Sequence, residues 1–195
     1  MDFALLHDAF WGLTFDGIAL GAIYALISLG YTLVYGVLRL INFAHSEVFM
    51  IGTFAALVAA SGIMGVKVED DPLTGGKMIF TLLVCLLAAM LASAITAVLV
   101  EIVAYRRLRQ RGATKLATLI SAIGVSISLV EFFRIITGSL PREFPRIMDK
   151  TLLFSYAGAD IRNDKVIVII AAGLMMFALE RFITKSRLGK GIRAV

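Results

Sequence analysis

Three stretches of the chain run without a charged side chain: Gly17–Leu38, Val48–Val66 and Met78–Val100. Each matches the roughly 20 apolar residues that a helix needs to cross a hydrocarbon core about 30 Å thick. Two further stretches are apolar with charges near one end. Leu116–Thr137 carries Glu131 and Arg134, and Val166–Ile183 carries Glu180 and Arg181. The pattern predicts an all-α integral membrane protein, a polytopic helical bundle of about five transmembrane helices. The expected spans are near 17–38, 48–66, 78–100, 116–137 and 166–183, forming one transmembrane domain. Between them lie Arg39–Glu47, Lys67–Lys77, Glu101–Lys115 and the long segment Gly138–Lys165. Small residues recur at helical spacing, as Gly17, Gly21 and Ala25 in the first span and as Gly52, Ala56 and Ala60 in the second. Such stripes let helix backbones approach closely in lipid, where burying larger apolar groups gains little.

Composition sharpens this picture. The chain is 59% hydrophobic and 17% charged, against about half and a quarter in soluble domains. Its net charge of +5 invites a nucleic-acid reading, but the cations gather beside the ends of apolar runs, a membrane-topology pattern. Arg106, Arg107, Arg109, Arg111 and Lys115 stand together without an acid, as do Arg181, Lys185, Arg187, Lys190 and Arg193. The positive-inside rule puts residues 103–115 and 184–195 in the cytoplasm and, by parity, the N-terminus outside. Residues 1–16 hold Asp2, Asp8 and Asp16 with no Lys or Arg, which is not the cationic start of a secretory signal. Cys85 is the only cysteine and His7 and His45 the only histidines, so no disulfide framework or metal-ligand spacing is expected. Neither Thr74-Gly-Gly-Lys77 nor Gly189-Lys190 has the spacing of a phosphate-binding loop, so nucleotide hydrolysis is not expected on this chain.

The most informative stretch is YGVLRLINFAHSE, Tyr35–Glu47, which interrupts an otherwise apolar run from Gly17 to Gly65. Gly36 permits a backbone break. Asn42 or Ser46 is expected to cap the helix that resumes, with Glu47 in its first turn, where the helix dipole favours an acid. Two readings are open on spacing alone: a broken helix whose polar backbone lines a path at membrane depth, or an ordinary tight turn on the cytoplasmic side. On the first, Asn42, His45, Ser46 and Glu47 are candidate path residues. Ser121 and Ser128 join them, because with Gly124 they form a polar stripe on the fourth span. Glu131 and Arg134 are spaced to pair on one helix face.

The run GIALGAIYALISLGYTLVYGVLRLINFAHSEVFMIG (Gly17–Gly52) resembles the N-terminal signature of LivH-type permeases of branched-chain amino acid ABC importers. VEIVAYRRLR (Val100–Arg109), LATLISAIGV (Leu116–Val125) and SRLGKGIRAV (Ser186–Val195) agree in order and spacing. Ser46 stands where the family commonly has Gly, which is expected to stiffen the break without moving it. The resemblance implies a permease subunit in a bacterial inner membrane that imports branched-chain or similarly apolar amino acids without chemistry on the cargo and without a cofactor. It implies as partners a second related permease, two cytoplasmic ATPase subunits and an extracytoplasmic amino-acid binding protein. Lys185, Arg187, Lys190 and Arg193 then lie at the entry to the ATPase-coupling region. Family members are usually longer, which implies that this chain is an N-terminal portion. A urea or short-amide permease of the same fold and a passive channel subunit are the alternative readings.

Overall fold

The computed structural model describes residues 3–38, 42–138, 140–156 and 159–186. The apolar runs are helical, apart from residues 64–66 at the end of the second: α1 (Phe3–Leu38), α2 (His45–Val58), α3 (Gly75–Gln110), α4 (Lys115–Thr137) and α5 (Asn163–Lys185). Among the described residues, five helices are long and apolar enough to cross a membrane. Their surfaces carry large exposed apolar side chains, among them Leu83, Leu91, Ile95 and Ile127. A protein bathed in water rarely tolerates so much exposed apolar surface, whereas lipid solvates it.

The chain forms two compact units. One contains Met1–Arg39 and Lys150–Val195, the other Leu40–Asp149. In the first, α5 packs along α1, and Lys165 forms an ion pair with Asp16. A small hairpin precedes α5, with β1 (Leu152–Tyr156) antiparallel to β2 (Ala159–Arg162) and a bulge between Leu152 and Phe154. Strand β2 lies against α1 and α5, and its Ile161 is fully buried. This hairpin falls inside the segment that the hydropathy pattern leaves as a loop. Its strands are too short to register in a window tuned to membrane spans.

The second unit is built around α2 and α3, which among the described residues share the most extensive helix interface. A Cβ added at Gly52 would collide with Ser93 Oγ, while the Ala89 carbonyl would stand at an ordinary contact distance of 3.4 Å, so glycine leaves room for the serine hydroxyl between the two helices. Ala59, Ala60 and Cys85 pack with Ile147 into a small core beside that approach, flanked by Ala56, Val84 and Ala88. The second small-residue stripe is therefore an interface. The first is not of this kind, since a Cβ added at Gly17 or Gly21 meets nothing within 4 Å; α5 packs on another face of α1. Helix α2 ends in a π turn, Ala59–Ile63, closed by Gly65 at φ +67, a left-handed conformation that glycine adopts without a Cβ penalty. The loop that follows is tied to the segment after α4 through the Leu73 N–H, which donates to the Ile147 carbonyl at 3.1 Å.

Helix α3 does not stop where the charges begin. It continues through a π segment, Glu101–Arg106, and a final α turn, Arg107–Gln110. The segment read from sequence as a connection from Glu101 is thus helical to Gln110. Charges end the lipid-compatible stretch but not the helix, because Glu, Arg, Leu and Gln are all strong helix formers. An ion pair between Glu101 and Arg109 adds to it. Helix α4 begins after Thr114, whose hydroxyl accepts the Ala117 N–H at 3.3 Å as an N-cap, a side-chain partner for a first-turn donor.

Candidate functional site

The turn that leads into α2 is organised by Asn42. Its side-chain Oδ1 accepts the Ala44 N–H at 3.1 Å, and its backbone carbonyl accepts the His45 N–H at 3.2 Å. The same Oδ1 accepts a hydrogen bond from the Tyr105 hydroxyl at 2.6 Å. One side-chain oxygen therefore closes the turn and fastens it to α3. The residue at the N-cap position is Ala44, with no side-chain cap, which corrects the expectation that Asn42 or Ser46 fills it. Asn42 lies two positions earlier and captures the N–H of the cap residue itself, a common Asx-turn geometry. His45 is the first residue of α2 and is half-buried.

Glu47, in the first turn of α2, is buried at 8% exposure. Both of its carboxylate oxygens are held by hydroxyls. Ser126 on α4 donates to Oε1 at 2.8 Å, and Ser46 donates to Oε2 at 2.9 Å. Among the described residues no cation lies within ion-pair distance of it. A buried carboxylate is costly unless its lone pairs are engaged, and here two neutral donors and the positive end of the α2 dipole share that task. A carboxylate offers about four acceptor positions, so room is left for a further donor.

Asn42, His45, Ser46 and Glu47 are thus gathered at one place, with Tyr105 and Ser126 as partners that local sequence patterns did not single out. Ser121 and Ser128 take no part in the hydrogen bonds given above. They line an open, mostly apolar groove of about 500 Å³ between α3 and α4, with Val103 and Gly124 among its other walls. The Ser128 hydroxyl turns back onto the Gly124 carbonyl at 2.7 Å. Lys185 is the last residue of α5 and is exposed. Arg187, Lys190 and Arg193 lie outside the described residues. Glu131 and Arg134 form the anticipated i,i+3 pair on α4 at 2.9 Å, largely exposed.

Residues 13–195 match a family model described as branched-chain amino acid transport system / permease component. The high-affinity branched-chain amino acid transport system permease protein BraD of Pseudomonas aeruginosa is 35% identical over 182 residues, covering 92% of this chain and 56% of that protein. LivH, the permease protein of the same name in Escherichia coli K12, is 34% identical over 183 residues with the same coverage. The Salmonella typhimurium LivH is 34% identical over 185 residues. The chain spans about half the length of the curated relatives it matches. No solved structure matches it.

Proposed function

The chain belongs to the family of branched-chain amino acid transport permease components, and from that membership we propose that it is the translocating part of an ATP-driven importer for branched-chain amino acids. It works in a bacterial inner membrane as one transmembrane domain. Residues 103–115 and 184–195 face the cytoplasm, and the N-terminus faces outward. Its partners are a second related permease, two ATPase subunits that hydrolyse the nucleotide, and an extracytoplasmic binding protein that delivers the cargo. The relatives named above supply the substrate class, and the apolar helices supply the membrane setting.

One observation carries the path assignment. Ser126, which holds the Glu47 carboxylate, is the middle residue of α4 (Lys115–Thr137). At about 1.5 Å of rise per residue it lies roughly 16 Å from either end of that helix. If α4 crosses the bilayer, Glu47 sits beside the middle of that helix, while Asn42 reaches back to Tyr105 toward the basic end of α3. Polar groups at that depth are tolerated when they are buried in protein or line a water-filled route, and they mark substrate pathways in transporters. The start of α2 can therefore present Asn42, Ser46 and Glu47 to the two charged ends of a zwitterionic cargo.

The test is uptake in proteoliposomes by the importer assembled with its ATPase and binding protein. Glu47→Gln and Asn42→Ala are expected to lower the maximal rate of leucine uptake about tenfold each, the scale of one hydrogen bond to a charged group. Unchanged uptake kinetics in both variants removes the path role. Uptake that proceeds without ATP identifies a passive channel. Transport of urea in place of leucine identifies the short-amide alternative.

A further inference from the structure

Helix α3 carries a π segment, Glu101–Arg106, near its C-terminal end. A π turn holds one residue more than an α turn, and isolated π turns inside helices occur often at functional sites. Here it lies between the membrane-spanning part of α3 and a basic end carrying Arg106, Arg107, Arg109 and Arg111. Its buried residues are Ala104 and Tyr105. Tyr105 is 5% exposed, packed with Ala44, Val100 and Ala122, and its hydroxyl reaches the Asn42 oxygen that closes the turn before α2. On the outer side, Glu101 at the start of the segment pairs with Arg109 beyond its end. The segment is therefore fastened at one side to the candidate path and at the other to the basic end.

We propose that this π segment is a register switch, with Tyr105 as the positioning residue through which motion of the basic end of α3 reaches Asn42 and the start of α2. This rests on the permease reading above. Conversion of the π turn to α geometry rotates everything beyond it by about 100° and moves it about 1.5 Å relative to the span. That rotation carries Tyr105 off the Asn42 side, so the Tyr105–Asn42 bond is lost and the turn before α2 is loosened, while Ser93 keeps its bond to the Val48 carbonyl. Rotation in the opposite sense restores it. The two arrangements differ by one hydrogen bond, one exposed ion pair and one buried ring. A free-energy gap of that size is small enough for a nucleotide-driven partner to reverse.

Two measurements on the assembled importer test this. Nitroxide labels at Ile95→Cys and Gln110→Cys, both exposed positions flanking the segment, are introduced in a Cys85→Ala background. Their separation is expected to change on nucleotide binding, and one unchanged distance in both nucleotide states overturns the switch. Tyr105→Phe removes only the hydroxyl. It is expected to reduce maximal uptake about fivefold, the scale of one neutral hydrogen bond, with KM unchanged and ATP hydrolysis retained. A parallel loss of uptake and hydrolysis, or no loss of either, also overturns it. If the unsubstituted importer moves no leucine, the proposed function fails, while the label distances still report on the switch because they need nucleotide alone.

Discussion

Replacing Gly52 with alanine tests the α2–α3 interface most directly, because the structure gives each term in the outcome. The new Cβ would collide with Ser93 Oγ and stand 3.4 Å from the Ala89 carbonyl and 3.8 Å from Ser93 Cβ. Only the first contact is impossible. It can be relieved by rotating the serine hydroxyl, which abandons its 3.1 Å bond to the Val48 carbonyl, or by moving α2 away from α3. Overpacking of this kind costs about 1–3 kcal/mol, and a lost hydrogen bond about 1 kcal/mol. Against that, alanine is favoured over glycine in a helix by about 1 kcal/mol. The net expectation is destabilisation by about 2 kcal/mol, which for a chain of this size lowers the melting temperature by about 4–8 °C. With Ser93→Ala the offending oxygen is gone, and the same Gly52→Ala change is expected to stabilise by about 1 kcal/mol, the helix-propensity term alone. Cys85 is the only cysteine and is buried in this interface, so a thiol-reactive fluorophore followed during heating in detergent reports when α2 and α3 separate. The reversal of sign between the two backgrounds is the diagnostic. If Gly52→Ala has the same effect with Ser93 and with Ala at that position, the close approach described here does not exist.

Other residues give narrower expectations. Ser126→Ala leaves Glu47 Oε1 without its donor and should cost about 0.6–1.7 kcal/mol, the range for interhelical hydrogen bonds in membranes, visible as earlier thiol exposure on heating; an unchanged melt would show that the Ser126–Glu47 bond is not formed. Glu131→Gln breaks a largely exposed ion pair, for which less than about 1 kcal/mol is expected, and a severalfold fall in uptake would mean that this pair does more than brace α4. A disulfide between Gly52→Cys and Ser93→Cys has a Cβ separation near the 3.8 Å measured from the ideal Cβ at Gly52, the mean for disulfides; its oxidation should leave uptake intact. A short bifunctional cross-link between Phe54→Cys and Phe133→Cys, where the rings now stand 5.6 Å apart on α2 and α4, should instead arrest uptake, and the opposite pattern contradicts the division of moving parts argued below. Both pairs are made in a Cys85→Ala background.

The helices were legible because hydrocarbon imposes a length and an absence of charge that composition displays directly. What charge could not reveal was where a helix stops, and so α3 runs on through Glu101–Gln110. The break before α2 was legible as a polar run between apolar ones, and with it Asn42 and Glu47. Their partners were not. Tyr105 and Ser126 stand 63 and 79 positions away, and no local period connects them to the break. A signal for Ser126 did exist. Thr118 and Ala122 are buried on α4, with Val125 and Leu129 partly buried against the same core, and Ser126 follows Ala122 by one helical turn. The stripe of small polar residues pointed to Ser121 and Ser128, which line the open groove.

These contacts also assign the parts that can move. Helix α2 meets α3 through the Gly52 approach, the Ser93–Val48 bond and the core around Ala59, Ala60 and Cys85. It meets α4 chiefly through one hydroxyl on Glu47 and one aromatic pair. Interhelical hydrogen bonds in membrane proteins contribute only about 0.6 kcal/mol on average, whereas close backbone packing is lost all at once when helices separate. An opening beside Glu47 therefore costs least if α2 and α3 stay together and α4 parts from them. On the proposed path role, the carboxylate would then exchange the Ser126 hydroxyl for a donor on the cargo, keeping Ser46 as its second partner. Because Tyr105 ties the lead-in of α2 to α3, the proposed rotation at the π segment would act on the side of the gap that stays intact.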